Sequence, residues 1–103
     1  MKKLLPIALG LVLAAPALAA DPSAPVSGSA AFLASNCFNC HGTDGKTTQA
    51  IPPLAGLEAG YIAEALKEYK DGSREATIMH QLAKGYTEEE IALISKYFAT
   101  QQP

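Results

Sequence analysis

The sequence predicts a small all-α domain of about four short helices. Apolar residues recur at the three- and four-residue spacing of a helix, and no run alternates convincingly with a period of two. The boundary signals agree with this pattern, since a glycine follows two of the predicted helices and a capping-box motif precedes another.

The first 19 residues have the composition of an export signal. Two lysines near the start precede an apolar run at residues 4–13, and small residues stand at Ala17 and Ala19, where a signal peptidase reads the chain. We expect cleavage after Ala19, with Ala20 as the alternative. A retained anchor is the competing interpretation, but the run is shorter than the roughly 20 residues that span a bilayer. The prediction is therefore a periplasmic protein without a membrane span after cleavage.

Cleavage would leave 84 of the 103 residues, enough for one small domain. Such a domain buries a small core and usually needs a disulfide, a metal or a cofactor for stability. Without the two signal-peptide lysines, six Lys and Arg stand against ten Asp and Glu, a side-chain charge of −4. This acidic balance argues against nucleic acid and anionic lipid as partners.

The mature chain is expected to begin with a flexible leader at residues 20–29, which is rich in proline and serine. Residues 30–103 form the predicted domain. Its first helix is expected over Ala30–Asn36, with one face made of Ala30, Leu33 and Ala34. Residues 42–53 contain glycines, threonines and a proline pair, and they are predicted to form a loop.

The clearest helix is predicted over residues 58–71, and Gly72 should end it. Its apolar stripe consists of Ile62, Ala65, Leu66 and Tyr69. A shorter helix is predicted over residues 76–84, before Gly85. The predicted buried face of this part of the chain therefore comes mainly from the longer helix.

The last helix is predicted to begin after Thr87. Glu90 stands three residues later, which is the spacing of a capping box, and the neighbouring glutamates add negative charge where the helix dipole favours it. The side expected to be buried consists of Ile91, Ile94, Tyr97 and Phe98.

Both cysteines of the chain fall in the string Cys37-Phe38-Asn39-Cys40-His41. The pattern C-x-x-C-H is typical of covalent haem attachment. Thiols three positions apart can reach two vinyl groups of one porphyrin, and the histidine that follows is then held under the iron. A neutral imidazole nitrogen is a good iron ligand. The string predicts one haem c, bound through Cys37 and Cys40, with His41 as an iron ligand.

Two other interpretations of the string are weaker. A redox dithiol normally lies in a βαβ context, and this sequence predicts no strands. A zinc site needs four ligands in a tetrahedral array, whereas adjacent Cys40 and His41 cannot easily bind one metal in regular geometry. Haem attachment is the prediction.

The second ring nitrogen of His41 needs a hydrogen-bond partner, because such a bond fixes the tautomer and the ring orientation. The carbonyl of Pro52 is the candidate, although the residues alone leave open that the Pro52-Pro53 pair only ends a loop.

Met79 is the only methionine outside the predicted signal peptide and is the candidate sixth ligand. An isolated methionine is often core packing, and neighbouring His80 is a competing ligand.

The haem string with the following Gly-Thr-Asp-Gly, and then Ile-Pro-Pro-Leu-Ala-Gly at residues 51–56, resembles the small bacterial class I cytochromes c. In that family, short helices wrap one covalent haem, and the proline of Pro-x-Leu-Ala-Gly bonds the proximal histidine. The resemblance therefore implies that role for Pro52. The second proline, Pro53, is a variation at a tolerant position.

The segment from Thr77 to Phe98 is similar to the haem subunit of flavocytochrome c sulfide dehydrogenase, in which the methionine of Ile-Met is the sixth ligand. This implies that Met79 ligates the iron. Some members of that family carry two haems on a longer chain, whereas this chain has one string. The resemblance implies that a flavoprotein subunit oxidises sulfide and passes electrons singly to this haem, and that another redox protein accepts them. It implies no catalytic residue in this chain.

Three functions are open at this point. The first is the haem subunit of a sulfide dehydrogenase, and the second is a free-standing shuttle to an oxidase or reaction centre. The third is a haem sensor or peroxidase-like enzyme, which needs an open iron position. Met79 argues against the third.

Overall fold

The computed structural model describes Gly10 and residues 27–103. Nearly all of the predicted signal peptide, and residues 20–26 of the predicted leader, lie outside the described residues. Helices α1 to α5 span Ser27–Ser35, Phe38–His41, Ala59–Asp71, Met79–Ala83 and Glu88–Ala99, and a 3-10 turn spans Thr43–Gly45. This part of the chain contains no strand, so the predicted all-α class is confirmed.

The described residues hold five α-helices where the sequence predicted about four. The additional helix is α2, a single turn formed by the cysteine string itself. Its backbone is closed by the amide of His41, which donates to the carbonyl of Cys37 at 2.9 Å, and by that of Gly42, which donates to Phe38 at 3.0 Å. A single turn carries too few apolar positions to show a helical period in the sequence.

Helix α1 begins at Ser27, three residues before the predicted start, and ends one residue early at Ser35. Ala34 on its predicted face is fully buried, and Leu33 is partly buried against the core. This face packs on α5. The N- and C-terminal parts of the described domain are thereby held together beside the cysteine string.

Helix α3 is close to its prediction. Glu58 is the N-cap residue, and Gly72 ends the helix in the left-handed conformation, with φ +83°. Ile62 and Leu66 are buried, as the stripe predicted, whereas Ala65 and Tyr69 are only partly buried. Helix α3 packs against both α4 and α5.

Helix α4 is shorter than predicted and begins only at Met79. Ile78 has φ −137° and ψ −28°, which is not helical, so the chain before it runs as a non-helical segment.

The capping box of α5 is confirmed: the Thr87 hydroxyl accepts from the Glu90 amide at 3.2 Å, and the Glu90 carboxylate accepts from the Thr87 amide at 2.9 Å.

The core of the described domain is small. Its largest fully buried side chains are Phe98, Ile91 and Ile94, as predicted for α5, whereas Tyr97 is partly buried. Ser95 is also buried, which the sequence pattern did not predict, and its hydroxyl is satisfied by the carbonyl of Ile91 at 2.7 Å. So few large buried side chains give little hydrophobic stabilisation without a further apolar group.

Within Gly10 and residues 27–103, no helix has both the length and the apolar character needed to cross a membrane.

Candidate haem site

Helix α2 places the two cysteine side chains on one face. Cys37 and Cys40 stand three positions apart across one helical turn, and this spacing makes side chains neighbours. Cys37 is partly buried against the core, Cys40 is exposed, and the two thiols are not joined in a disulfide. Both thiols are thus available to a group that approaches from the solvent side of the turn.

Burial raises the pKa of the Cys37 thiol to about 11. A redox dithiol works in the opposite sense, because its attacking cysteine has a lowered pKa and reacts as a thiolate. Within the described part of the chain, no three His, Cys, Asp or Glu side chains cluster as a metal site, and a structural zinc site needs four ligands. The raised pKa is unlike that of a redox dithiol, and the described residues lack the ligand cluster of a structural zinc site.

The imidazole of His41 is oriented by the loop that follows it. Its Nδ1 lies 2.6 Å from the carbonyl oxygen of Pro52. Since a carbonyl oxygen only accepts, Nδ1 must carry the proton and donate it. The lone pair of His41 then lies on Nε2, and the hydrogen bond fixes both the tautomer and the ring orientation that an iron ligand requires.

The position of the Pro52 carbonyl depends on the base of its loop. The carbonyl of Gly45 accepts from the amides of Leu54 at 2.9 Å and Ala55 at 3.2 Å, which closes residues 45–54 into a loop. The amide of Gly56 then donates to the carbonyl of Phe98 at 2.9 Å, which fastens the end of the loop to α5. The loop carrying Pro52 is therefore built on backbone contacts at both Gly45 and α5.

A second contact ties α5 to the turn after His41. The hydroxyl of Tyr97 donates to the carboxylate of Asp44, which has a left-handed backbone conformation with φ +56°. This hydrogen bond, followed by burial and the negative charge of Asp44, raises the pKa of Tyr97 to about 12. Phe38 of α2 packs near the Tyr97 and Phe98 rings, at 6.2 Å between centroids in each case. No sequence pattern predicted this contact between Asp44 and Tyr97.

Met79 stands at the start of α4 and borders a cavity of about 440 Å³, lined by Tyr69, Glu75, Ala76, Thr77 and Met79. The side chain of Met79 is partly buried against the core. The Nδ1 atom of His80 is buried and has no hydrogen-bond partner in the described part of the chain. The cavity lies along the segment before α4, and none of Cys37, Cys40 and His41 lines it.

The described residues fit a haem. They provide two thiols on one helical turn, an oriented imidazole with a free Nε2, and a thioether beside a cavity. Three large apolar side chains that lie near Pro52 or Met79 in the sequence are exposed to solvent. Their exposed fractions are 41% for Ile51, 53% for Ile78 and 49% for Leu82. An apolar prosthetic group that covers these side chains would remove surface from water and stabilise the fold.

Comparison with known proteins identifies the family of the chain. The family model for cytochrome c matches residues 25–102. The cytochrome subunit of sulfide dehydrogenase from Chlorobaculum tepidum is 49% identical over 67 residues, which cover 65% of this chain and 61% of that protein. Cytochrome c-554(548) from Halomonas halodenitrificans is 40% identical over 70 residues, or 64% of this chain and 84% of that protein.

Cytochrome c4 proteins are similar to this chain in both sequence and structure. The Pseudomonas aeruginosa protein is 34% identical over 99% of this chain and 50% of its own length. The Acidithiobacillus ferrooxidans cytochrome c4 structure superposes with a TM-score of 0.68 and 26% identity, covering 76% of this chain and 51% of that one. The chain thus spans less than two thirds of the sulfide dehydrogenase subunit and about half of the cytochromes c4. It belongs to the cytochrome c family, and its two cysteines have the spacing that attaches one covalent haem c.

Proposed function

We propose that this chain is the haem subunit of a periplasmic sulfide dehydrogenase. In this role it accepts electrons singly from a flavoprotein subunit and passes them to another redox protein. The observation that carries the proposal is the 49% identity to the Chlorobaculum tepidum cytochrome subunit. The predicted signal peptide at residues 1–19 supports the periplasmic location.

At the site, we assign haem attachment to Cys37 and Cys40, iron ligation to His41 and Met79, and orientation of the proximal imidazole to Pro52. The 2.6 Å contact between His41 Nδ1 and the Pro52 carbonyl supports the last assignment. Bound haem supplies an iron that changes its oxidation state by one electron. The side chains break and form no bond of a substrate, so the chain contributes no catalytic residue.

The proposed ligands differ in what they do for electron transfer. The hydrogen bond to the Pro52 carbonyl would hold His41 in the tautomer and orientation that an iron ligand requires. Met79 would ligate the iron through its thioether and would keep small molecules away from it. A thioether ligand also raises the reduction potential relative to a second histidine, which suits acceptance of electrons from a flavin.

A free-standing periplasmic shuttle is the second candidate. The observation that favours it is the match to cytochrome c-554(548), in which this chain covers 84% of a protein of similar size. A shuttle would use the same five site residues. The two candidates differ only in whether a flavoprotein stays bound.

Purification from the periplasm of native cells separates the two candidates. The subunit proposal predicts that haem and flavin absorbance migrate together in one complex, and that added sulfide reduces the haem. As a control, this chain prepared alone with its haem should be reduced by sulfide far more slowly than the complex. Migration of the haem protein without flavin would contradict the proposal and support the shuttle.

A further inference from the structure

The segment that carries Met79 is fastened to α3 at both of its ends. At the first end, the amide of Arg74 donates to the carbonyl of Glu68 at 3.2 Å. At the second end, the ammonium group of Lys70 donates to the carbonyl of Tyr86 at 2.5 Å. Residues 74–86, including all of α4, therefore lie between two contacts with one helix.

Arg74 makes the more extensive of these contacts. Its Nε atom donates to the Glu68 carboxylate at 2.6 Å, and both side chains are one-third exposed. Its guanidinium carbon lies 5.5 Å from the centroid of the Tyr69 ring and 5.9 Å from that of Tyr61. A planar guanidinium can bond a carboxylate and stack on aromatic rings at the same time, whereas an ammonium group cannot.

The contacts of Arg74 lead directly to the cavity beside Met79. Tyr69, on which Arg74 stacks, lines that cavity together with Met79 and with residues 75–77, which follow Arg74 in the chain. These residues are not helical, since α4 begins only at Met79. Residues 75–77 have no helical ladder of hydrogen bonds, so the side-chain contacts of Arg74 add to the packing of α4 on α3 in holding them in place.

We propose that Arg74 is a positioning residue that holds residues 75–79 in place, and so keeps Met79 at the sixth iron position. The inference rests on the proposed ligation by Met79. Arg74→Ala removes the side-chain contacts with Glu68, Tyr69 and Tyr61 and leaves only the backbone hydrogen bond to the Glu68 carbonyl at the first end, while Lys70 still holds the second. The thioether then leaves the iron more often, although the rest of the fold is intact.

The chain offers a matched control on the same helix. Lys67 forms an ion pair with Glu88 at 3.3 Å, and the two side chains are 46% and 63% exposed. This pair joins α3 to α5 and does not touch the Met79 segment. Such an exposed pair contributes little to stability, so Lys67→Ala removes a cation from α3 without removing the proposed anchor.

Imidazole is a suitable probe, because it binds the ferric iron only in molecules from which Met79 has departed. Its apparent affinity therefore measures the fraction of open sites. We would titrate the ferric holoprotein with imidazole in the wild type and in Arg74→Ala, Lys67→Ala and Met79→Ala. The Met79→Ala variant gives the affinity of a fully open site.

Arg74→Ala should bind imidazole roughly tenfold more tightly than the wild type and less tightly than Met79→Ala. Lys67→Ala should stay within about twofold of the wild type. Arg74→Lys keeps the charge near Glu68 but loses the planar stacking, so its affinity should lie between those of the wild type and Arg74→Ala. Unfolding by guanidine, followed by far-UV circular dichroism, should show similar midpoints for Arg74→Ala and Lys67→Ala.

An unchanged imidazole affinity in Arg74→Ala would overturn the inference, as would an equal increase in Lys67→Ala. If Arg74→Ala does not retain haem, the same criterion applies to Arg74→Lys and Glu68→Gln. Wild-type affinity in Met79→Ala would show that the ligand assignment itself has failed. The titration uses this chain alone, so its outcome is independent of the flavoprotein partner.

Discussion

Tyr97 donates its phenolic hydroxyl to the carboxylate of Asp44, and this bond joins the C-terminal helix to the turn directly after His41. The two residues are 53 positions apart in the chain. Asp44 holds a left-handed conformation, which aspartate tolerates better than most residues. The contact therefore connects the packing of α1 and α5 to the part of the chain that orients the proximal imidazole.

The contact predicts a defined pH window for stability. The hydrogen bond to Asp44 raises the pKa of Tyr97 from 10.0 to about 12. Because the folded state holds this proton more tightly than the unfolded state, the contribution is fully present below pH 10 and is lost as the pH rises through about 12. The stability difference between wild type and Tyr97→Phe should be constant below pH 10 and shrink above it. Guanidine unfolding of the two holoproteins at a series of pH values measures this difference.

Asp44→Asn is the control for charge. Its amide oxygen still accepts the hydrogen bond but carries no negative charge, so the pKa of Tyr97 should rise less. As the pH rises, the stabilising contribution of the Tyr97 hydrogen bond should then disappear at a lower pH in Asp44→Asn than in the wild type. If the stability difference between wild type and Tyr97→Phe stayed constant above pH 12, the hydrogen bond to Asp44 would not be the cause of the raised pKa of Tyr97.

Gly45 is predicted to tolerate no side chain. A Cβ atom there would lie 2.9 Å from Cδ1 of Phe98, from Cβ of Leu54 and from the amide nitrogen of Ala55, and φ is +76°. Gly45→Ala should therefore lower the free energy of unfolding by about 3 kcal/mol, from left-handed strain together with overpacking. Chemical denaturation of the holoprotein measures the loss.

Gly72→Ala is the matched control for this substitution. Gly72 has nearly the same φ of +83°, but nothing lies within 4 Å of the place that a Cβ atom would take there. The expected cost is about 1 kcal/mol, from backbone strain alone. Equal losses in the two variants would contradict the proposed crowding around Gly45.

Met79 is predicted to determine the spectrum and the potential of the haem. Met79→Ala should lose the weak long-wavelength absorbance band of a methionine-ligated ferric haem. Met79→His should lower the reduction potential by on the order of 0.1 V, a fraction of the ~0.8 V range that axial ligands span. Survival of the band in Met79→Ala would rule out the assignment, and absence of the band from the wild type would favour His80 as the ligand.

The haem is predicted to complete the core. Phe98, Ile91 and Ile94 are the only large apolar side chains among the described residues with less than 2% exposure. The variant that combines Cys37→Ser with Cys40→Ser should therefore be largely unfolded by far-UV circular dichroism. Cys40→Ser keeps one thioether and should fold poorly. Native-like helicity with cooperative melting in the double variant would show that the haem is not a necessary part of the core.

Features with a local sequence signal were predictable. The capping box of Thr87 and Glu90 and the buried stripe of Ile62 and Leu66 depend on spacings within one helix, and both are confirmed. The contact between His41 and the Pro52 carbonyl was predictable as a candidate, because the resemblance of residues 51–56 to the class I cytochromes c implies this role for Pro52. Its role toward the haem stays a prediction.

Features that depend on long-range packing were not predictable. Nothing near Asp44 in the chain points to Tyr97, and nothing near Arg74 points to Tyr61. Helix α4 was predicted too long because residues 76–78 are compatible with a helix by composition. In the structure these residues instead precede α4 as a non-helical segment beside the cavity at Met79, and tertiary contacts outweigh local propensity there.

The most direct test of the account is a count of the electrons that each chain accepts. A potentiometric titration of the purified protein, calibrated by its covalent haem content, should show one haem and one electron per chain. The alternative for Cys37 and Cys40, a dithiol that forms a disulfide, is a two-electron couple. Two electrons per chain, or a chain without covalent haem, would contradict the account.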